Sequence, residues 1–302
     1  MSTSYKISYL DNLESESIYI IREVIAEFRK PVLLYSIGKD SSVLLHLAKK
    51  AFYPGKIPFP LLHIDTSYKF AEMIEFREKI TKKEDVNIIV YKNEHHIQKS
   101  MHPSMFGMDK CCKFLKTQAL LDAISINKFD AAIGGARREE EKSRAKERIF
   151  SFRDKFGFWE PKNQRPELWS LYNTRINPRE SVRVFPLSNW TELDIWHYIK
   201  RENVEIVPLY FAKKRKVIRR NGLLLLNDEF NHPQDGERVE ETFVRFRTLG
   251  CSTCSGAVES KADNLDKIIE EVMIAEKSER ENRAIDYETE GSMETKKREG
   301  YF

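Results

Sequence analysis

Pro31-Val-Leu-Leu-Tyr-Ser-Ile-Gly-Lys-Asp-Ser-Ser42 opens on an apolar run with the length of a buried strand and closes on small, polar and charged residues. Before it, Leu10, Leu13, Ile20, Ile21, Val24, Ile25 and Phe28 recur at helical spacing among charges, which predicts an amphipathic helix that Pro31 ends. After it, Ser41 to Ala51 reads as a second helix. The polar residues thus lie where a parallel strand hands over to a helix, the edge of such a sheet at which ligands bind. A helix N-terminus offers unpaired N–H groups and the positive end of a dipole, worth up to about 2 kcal/mol toward an anion. Ser36, Gly38, Lys39, Asp40, Ser41 and Ser42 are therefore candidate phosphate-binding residues, with Gly38 allowing close approach and Lys39 adding charge. A plain β-turn with an N-cap at Asp40 or Ser41 has the same local spelling; the flanking strand and helix favour the phosphate reading. The G-x-x-x-x-G-K-[ST] spacing of the nucleoside triphosphatase loop is not present.

Working outward, the pattern repeats: strand Leu61 to Ile64, helix Phe70 to Thr81, strand Asn87 to Tyr91, helix Lys113 to Ile126, strand Ala131 to Ile133. Alternation of this kind predicts an α/β fold with a doubly wound, mainly parallel sheet. From Gly134 to about Arg183 the periodicity fails, and long ordered loops with one helix are expected. Thr191 to Arg201 reads as a capped helix, with Asp194 three residues after Thr191. Lys213 to Arg220 is a basic cluster, and Asp263 to Lys277 another amphipathic helix. The expected organisation is an N-terminal helical segment (1–30), a nucleotide-binding core (31–135), an irregular catalytic and partner-binding region (136–277) and a charged tail (278–302).

A net charge of +4 over 302 residues is too small for a general nucleic-acid or membrane coat, so any anion site must be local. There is no run of about 18 apolar residues and no apolar stretch behind a basic start, which points to a cytoplasmic protein without a membrane role.

Two further strand ends carry chemistry. In His63-Ile-Asp-Thr-Ser67, Asp65 and Thr66 would stand beside the first loop and orient ribose, base or hydrated magnesium; alternatively Asp65 caps the next helix. In Gly134-Gly-Ala-Arg-Arg138, Gly134 and Gly135 allow an oxyanion to approach and Arg137 and Arg138 supply guanidinium groups. Arg137 to Arg148 holds six basic and four acidic residues, a mixture that also suits a solvated helix. Arg245 and Arg247 are the next candidates, because planar guanidinium matches sulfate and phosphate oxygens in pairs.

The first loop resembles the PP-loop of ATP pyrophosphatases, commonly Ser-Gly-Gly-x-Asp-Ser, with Ile37 in place of the first glycine. That resemblance implies an adenine nucleotide alpha hydrolase-like fold and cleavage of ATP between its α and β phosphates. Lys142-Ser-Arg-Ala-Lys-Glu-Arg148, Pro161-Lys-Asn-Gln-Arg-Pro-Glu-Leu-Trp169, Val184-Phe-Pro-Leu-Ser-Asn-Trp-Thr191, Val244-Arg-Phe-Arg-Thr-Leu-Gly-Cys251 and the terminal Gly-Tyr-Phe302 look like the small subunit of bacterial heterodimeric sulfate adenylyltransferase. The likeness runs from about Tyr19 to Phe302. It implies ATP and sulfate as substrates, magnesium, adenosine 5′-phosphosulfate and pyrophosphate as products, and a larger GTPase subunit as partner. On that reading the problem is electrostatic: unit like charges about 4 Å apart repel by about 4 kcal/mol at an effective dielectric of 20, so fixed cations must offset sulfate approaching the α phosphate.

The chain departs from the family in its four cysteines, which fall in two tight pairs: Cys111 with Cys112, and Cys251 with Cys254. Adjacent cysteines followed far downstream by Cys-x-x-Cys resemble the four-iron cluster ligands of adenylylsulfate reductases. Four thiolates suit a 4Fe-4S cluster or zinc, and four buried thiols without a ligand are the alternative. A thiol-dependent reductase would use a mobile cysteine near its C-terminus, and no cysteine follows Cys254. An RNA-modifying PP-loop enzyme would use Lys213 to Arg220 on phosphates, whereas a surface or partner-docking role for that cluster is expected here. A nucleotide sensor would bind ATP without sulfate-dependent turnover.

Overall fold

The computed structural model describes residues 8–98, 102–275, 279 and 298–300. It opens with α1 (Tyr9–Glu27), whose Ser8 side chain caps the Asp11 N–H while Asp11 caps Ser8 in return. Its buried stripe, Leu13, Ile20, Ile21 and Val24, packs on the sheet, and Ser17 among them donates to the Leu13 and Pro186 carbonyls and accepts from the Trp190 indole. A polar group can occupy that stripe because its hydrogen bonds are made.

The elements that follow are β1 (Pro31–Leu34), α2 (Lys39–Phe52), β2 (Leu61–Ile64), α3 (Ala71–Glu84), β3 (Ile88–Tyr91), α4 (Glu94–Gln98), α5 (Pro103–Phe106), α6 (Met108–Cys112), a π-helical stretch (Lys113–Gln118), α7 (Ala119–Asn127) and β4 (Ala131–Ile133). Then come β5 (Phe150–Arg153), β6 (Ser181–Val184), α8 (Glu192–Glu202), β7 (Lys213–Arg220), β8 (Leu223–Leu226), β9 (Val239–Arg245), β10 (Val258–Glu259) and α9 (Leu265–Met273). The first sheet has the order β3-β2-β1-β4-β6-β5 and is parallel except for β5. β1 lies centrally and is buried along its length, as its unbroken apolar run requires. Because β2 and β4 flank β1 and the chain winds outward both ways, the β1 to α2 loop stands at the switch point of the sheet.

Three features depart from expectation. The sheet continues past residue 135, because β6 pairs with β4 and β5 closes the edge antiparallel to β6. β5 is hidden in the sequence by its own burial: Phe150 and Phe152 alternate with Ser151 and Arg153, but all four are buried, so the polar positions do not mark a solvent face. The basic cluster Lys213 to Arg220 is β7, in a second, antiparallel sheet of order β10-β9-β7-β8. There Lys214 pairs with Glu241 at 3.0 Å and Arg219 with Glu240 at 3.2 Å, so much of its charge is answered across the ladder. The long helix expected to begin at Lys113 begins at Met108 and passes through a π-helical turn, a feature frequent at functional sites. Apart from Glu279 and residues 298–300, the tail expected at 278–302 lies outside the described residues.

Candidate active site

α2 starts at Lys39 with Gly38 as its N-cap and no side chain capping it. A helix leaves its first N–H groups without intrahelical acceptors. Gly38 N–H donates to Ser36 Oγ at 3.4 Å and Lys39 N–H to the Tyr210 hydroxyl at 2.8 Å, leaving those of Asp40 and Ser41 for a ligand. Ser41 Oγ closes the turn on the Gly38 carbonyl at 2.9 Å. Ile37, where the related loops carry glycine, has φ +68° and is fully buried. A β-branched residue rarely takes that conformation, and packing of the Ile37 side chain into the core holds it there. Gly38 is in an ordinary extended conformation with room for a Cβ, so its conformation does not demand glycine.

Beside this helix start lies a cavity of about 180 Å³. One wall is apolar, with Leu34, Leu62, Ile64 and Leu120; the other carries Ser36, Asp40, Ser41, Gly135, Glu140 and Arg144, with Lys116 and Lys69 nearby. An apolar slot beside a helix N-terminus suits a base joined to phosphates. A wider depression of about 550 Å³ lies between α3 and α8, but Glu72, Glu75 and Glu205 line it and it is remote from the loop.

The charged groups at the loop form one knot. Arg137, with its side chain fully buried, donates from Nε to Asp40 at 2.8 Å, from a terminal nitrogen to Glu139 at 3.1 Å and from the other to Glu279. Lys39, also buried, reaches Asp40 at 3.1 Å and the same Glu279 carboxylate. Burial pushes Asp40 up, but Lys39 and Arg137 outweigh it and hold the carboxyl below its usual value. Burial would lower Lys39, yet Asp40 and Glu279 keep it above its usual value. For Glu279 burial wins and its pKa rises to about 7 despite Arg137 and Lys39. An acidic side chain from the C-terminal segment thus sits on two cations expected to meet an anion.

The other expected residues are distributed as follows. Gly135 lines the cavity, whereas the Gly134 N–H is taken by the Val184 carbonyl at 2.8 Å. Asp65 does not line the cavity: it accepts the Ser67 N–H at 2.9 Å and pairs with Lys92 at 3.3 Å and Arg77 at 3.5 Å, and it does not cap α3, whose N-cap is Phe70 with no side-chain bond. Thr66 is turned to Cys251, Oγ1 to Sγ 3.0 Å. Arg138 turns to Asn189 and Arg245 to Glu271 at 2.8 Å, both away from the loop. Arg247 pairs at 2.8 Å with Glu192, which feels Lys39, so it reaches the loop through a carboxylate. Residues that local sequence does not flag are Glu279, Arg153 and Arg183; their signal is contact between distant segments. His63 donates from Nδ1–H to the Tyr35 carbonyl, 2.8 Å away, and burial pushes it down to about 3, so it remains neutral.

Residues 30–257 match the family model of the phosphoadenosine phosphosulfate reductase domain. Sulfate adenylyltransferase subunit 2 of Bacteroides fragilis is 60% identical over 303 residues, covering 100% of both chains. The protein of the same name from Aliivibrio fischeri is 59% identical over 98% of this chain and 99% of its own.

The chain belongs to the sulfate adenylyltransferase subunit 2 family.

Membership makes it a nucleotidyltransferase, and "subunit 2" says that those relatives work with another subunit. Among solved structures, Candida glabrata FMN adenylyltransferase shares the fold, with TM-score 0.50 and 15% identity over 93% of this chain and 91% of that one. No helix among the described residues is long and apolar enough to cross a membrane.

Proposed function

We propose that this chain transfers AMP from ATP to sulfate, forming adenosine 5′-phosphosulfate and pyrophosphate, as the cytoplasmic small subunit that works with a larger GTP-binding GTPase subunit. The observation that carries this reading is the α2 N-terminus opening into the cavity at the switch point of the sheet, with Asp40, Ser41 and Arg144 on one side, Arg137 bound behind Asp40, and an apolar slot on the other. The base lies against Leu34, Leu62 and Leu120, and the triphosphate runs onto Ser36 through Ser42. A sulfate oxygen attacks the α phosphorus in line as the bond to pyrophosphate breaks. Sulfate is already deprotonated, so no general base is needed, in keeping with a neutral, buried His63. Positioning and neutralisation of charge supply the rate. A phosphate arriving at Lys39 displaces Glu279 from it.

Asp40, Glu140 and Glu279 place carboxylate oxygens within 4.8 Å of one another. Those of Asp40 and Glu279 are engaged by Lys39 and Arg137, so the trio is not a ready cage for a metal ion. Asp40 and Glu140, which line the cavity, fit as outer partners of a hydrated magnesium carried by the triphosphate, where the ion would neutralise phosphate charge. The region 136–277 supplies the partner-binding surface. Sulfate-dependent pyrophosphate release from ATP, with partner and GTP present, is the expected result; its absence under those conditions would remove the assignment.

The thiols carry a second, separable proposal. Cys112 and Cys254 share a hydrogen bond, and Cys111 lies within electrostatic reach of Cys112 and Cys251. The Cys254 and Ser255 N–H groups both donate to the Cys251 carbonyl at 3.0 Å, which turns the Cys-x-x-Cys loop sharply. No disulfide joins them. Burial and neighbouring thiols push Cys111 up to about 12, a cost that a bound cation would reverse. We infer a thiolate-ligated centre, iron–sulfur or zinc, tying the α6 segment to the 251–254 loop. Protein purified without oxygen should contain metal, with visible absorbance if it is iron–sulfur, and Cys254→Ser should lose most of it; metal-free wild-type protein that also fails to take up zinc or a reconstituted cluster would end this proposal.

A further inference from the structure

β6 buries a cation whose guanidinium makes no hydrogen bond among the described residues. Arg183 is 1% exposed, and among the described residues none of its three guanidinium nitrogens has a hydrogen-bond partner. Its charged neighbours are Arg153 and Glu147. Glu147 is already engaged: Arg153 donates to it at 2.7 Å, and to Ser151 at 2.7 Å, while Ser151 donates to the same carboxylate at 3.1 Å. Arg153 keeps an unpartnered Nε, as does Arg144, whose nearest carboxylate oxygen, on Glu140, is 3.6 Å away. Burial, then the Arg153 charge, pushes Arg183 down to about 9, which still leaves it cationic at neutral pH. Three buried guanidinium groups thus face two carboxylates with several donors unspent, and an uncompensated charge in low dielectric demands an anion.

The register places this cluster. Arg183 stands opposite Ala132 on β4 and Ser151 on β5, and residues opposite one another share a face of the sheet. Ala132 packs with Leu34, Leu62 and Leu120, the apolar wall of the cavity, and Arg144 lines that cavity from the polar side. The phosphate-binding loop follows β1; Arg183 lies two strands away on β6, across β4. Helix N–H groups and unpaired guanidinium groups therefore flank β4 on the face that carries the cavity.

We propose that Arg183, with Arg153 and Arg144, forms the subsite that receives the tetrahedral sulfate dianion. The proposal rests on the adenylyl-transfer reading for the identity of the reaction, and on the unpaired donors for the site itself. It moves the sulfate contacts away from Arg137, whose donors are committed to Asp40, Glu139 and Glu279. Guanidinium forks hold the oxygens that do not react, leaving one toward the α phosphorus.

The test uses Arg183→Met and Arg183→Lys in the complete two-subunit enzyme. Losing charge-assisted bonds of this kind is expected to raise the KM for sulfate by about 10- to 100-fold in the Met variant, with the KM for ATP within about twofold. The Lys variant, which keeps charge without the fork, should fall between, and it carries the test if Arg183→Met does not fold. A parallel binding readout is the rise in Tm of the small subunit on adding inorganic sulfate, with chloride at equal ionic strength as control. Wild type should show the rise and the variants should lose it. An unchanged sulfate KM and an unchanged sulfate-induced Tm rise in a folded variant would overturn the subsite. If wild type shows no sulfate-dependent turnover, the adenylyl-transfer reading fails by itself, and the Tm comparison still decides whether Arg183 holds sulfate.

Discussion

Arg137→Met is expected to lower sulfate-dependent pyrophosphate release by about 10²- to 10³-fold, the loss usual for a preorganised charge donor at a reacting centre. Arg137 binds Asp40 through Nε at 2.8 Å and so fixes the first turn of α2, and it shares Glu279 with Lys39. Removing it leaves buried carboxylates without their main partner, which would destabilise the fold by about 3–5 kcal/mol if neither neutralises. Asp40 is held below its usual value partly by Arg137, so the variant should let Asp40 rise and take up a proton, recovering part of that loss at lower pH. The sign is that of a depressed carboxylate: the stability it contributes in wild type is present above its unfolded pKa and is lost as pH falls. Thermal unfolding against pH, run beside the turnover assay, separates the two effects. Arg137→Lys keeps a charge but not the planar fork and should retain the fold while losing most of the rate. Turnover within about threefold of wild type in a folded Arg137→Met would show that Arg137 does not serve the reaction.

Gly135→Val should cost about 10²-fold in kcat/KM by geometry alone. A Cβ built on Gly135 falls 3.2 Å from both the carbonyl carbon and the Cβ of Asp40 and 3.3 Å from the Ser41 nitrogen. These are backbone or near-backbone atoms of the α2 first turn, which cannot swing aside as a flexible side chain would. The segment after β4 and the first turn of α2 must separate by some tenths of an ångström, more for the branched side chain, and the N–H groups that face the ligand move with that turn. Gly135→Ala should show the smaller form of the same effect. Affinity for ATP, read by calorimetry, should fall with kcat/KM while the unfolding temperature changes little. Full activity in Gly135→Val would mean that the close approach of β4 to α2 is not part of the working site.

The basic cluster at β7 illustrates how residue type and residue role separate. Lys213 to Arg220 could be read as a phosphate-contacting patch, but the strand pairs with β9, and Glu240 and Glu241 stand across from it. The acidic partners lie more than twenty residues away in sequence, too far for any local window to join them. Arg245 and Arg247 differ in the same way: Arg245 ends β9 and pairs with Glu271 on α9, whereas Arg247 lies past the strand end, where the two-residue alternation no longer holds, and pairs with Glu192 on α8.

What local sequence determined is the scaffold and the loop. Period 3.6 in α1, the unbroken apolar run of β1, the mostly apolar β2, the Thr191–Asp194 capping box and the small, charged string that enters α2 act over a few residues, and each element is present in the structure. The tertiary structure alone decided which charges meet. Arg183 reads as one polar residue in a short run, and among the described residues its guanidinium goes without a hydrogen bond because Ala132 and Ser151 flank it in the sheet and Glu147 bonds Arg153. Glu279 lies 240 residues from Lys39 and shares its burial. Secondary structure follows from the covalent neighbourhood, whereas a charge is set by desolvation and by whatever the fold brings within a few ångströms of it, and sequence distance carries neither.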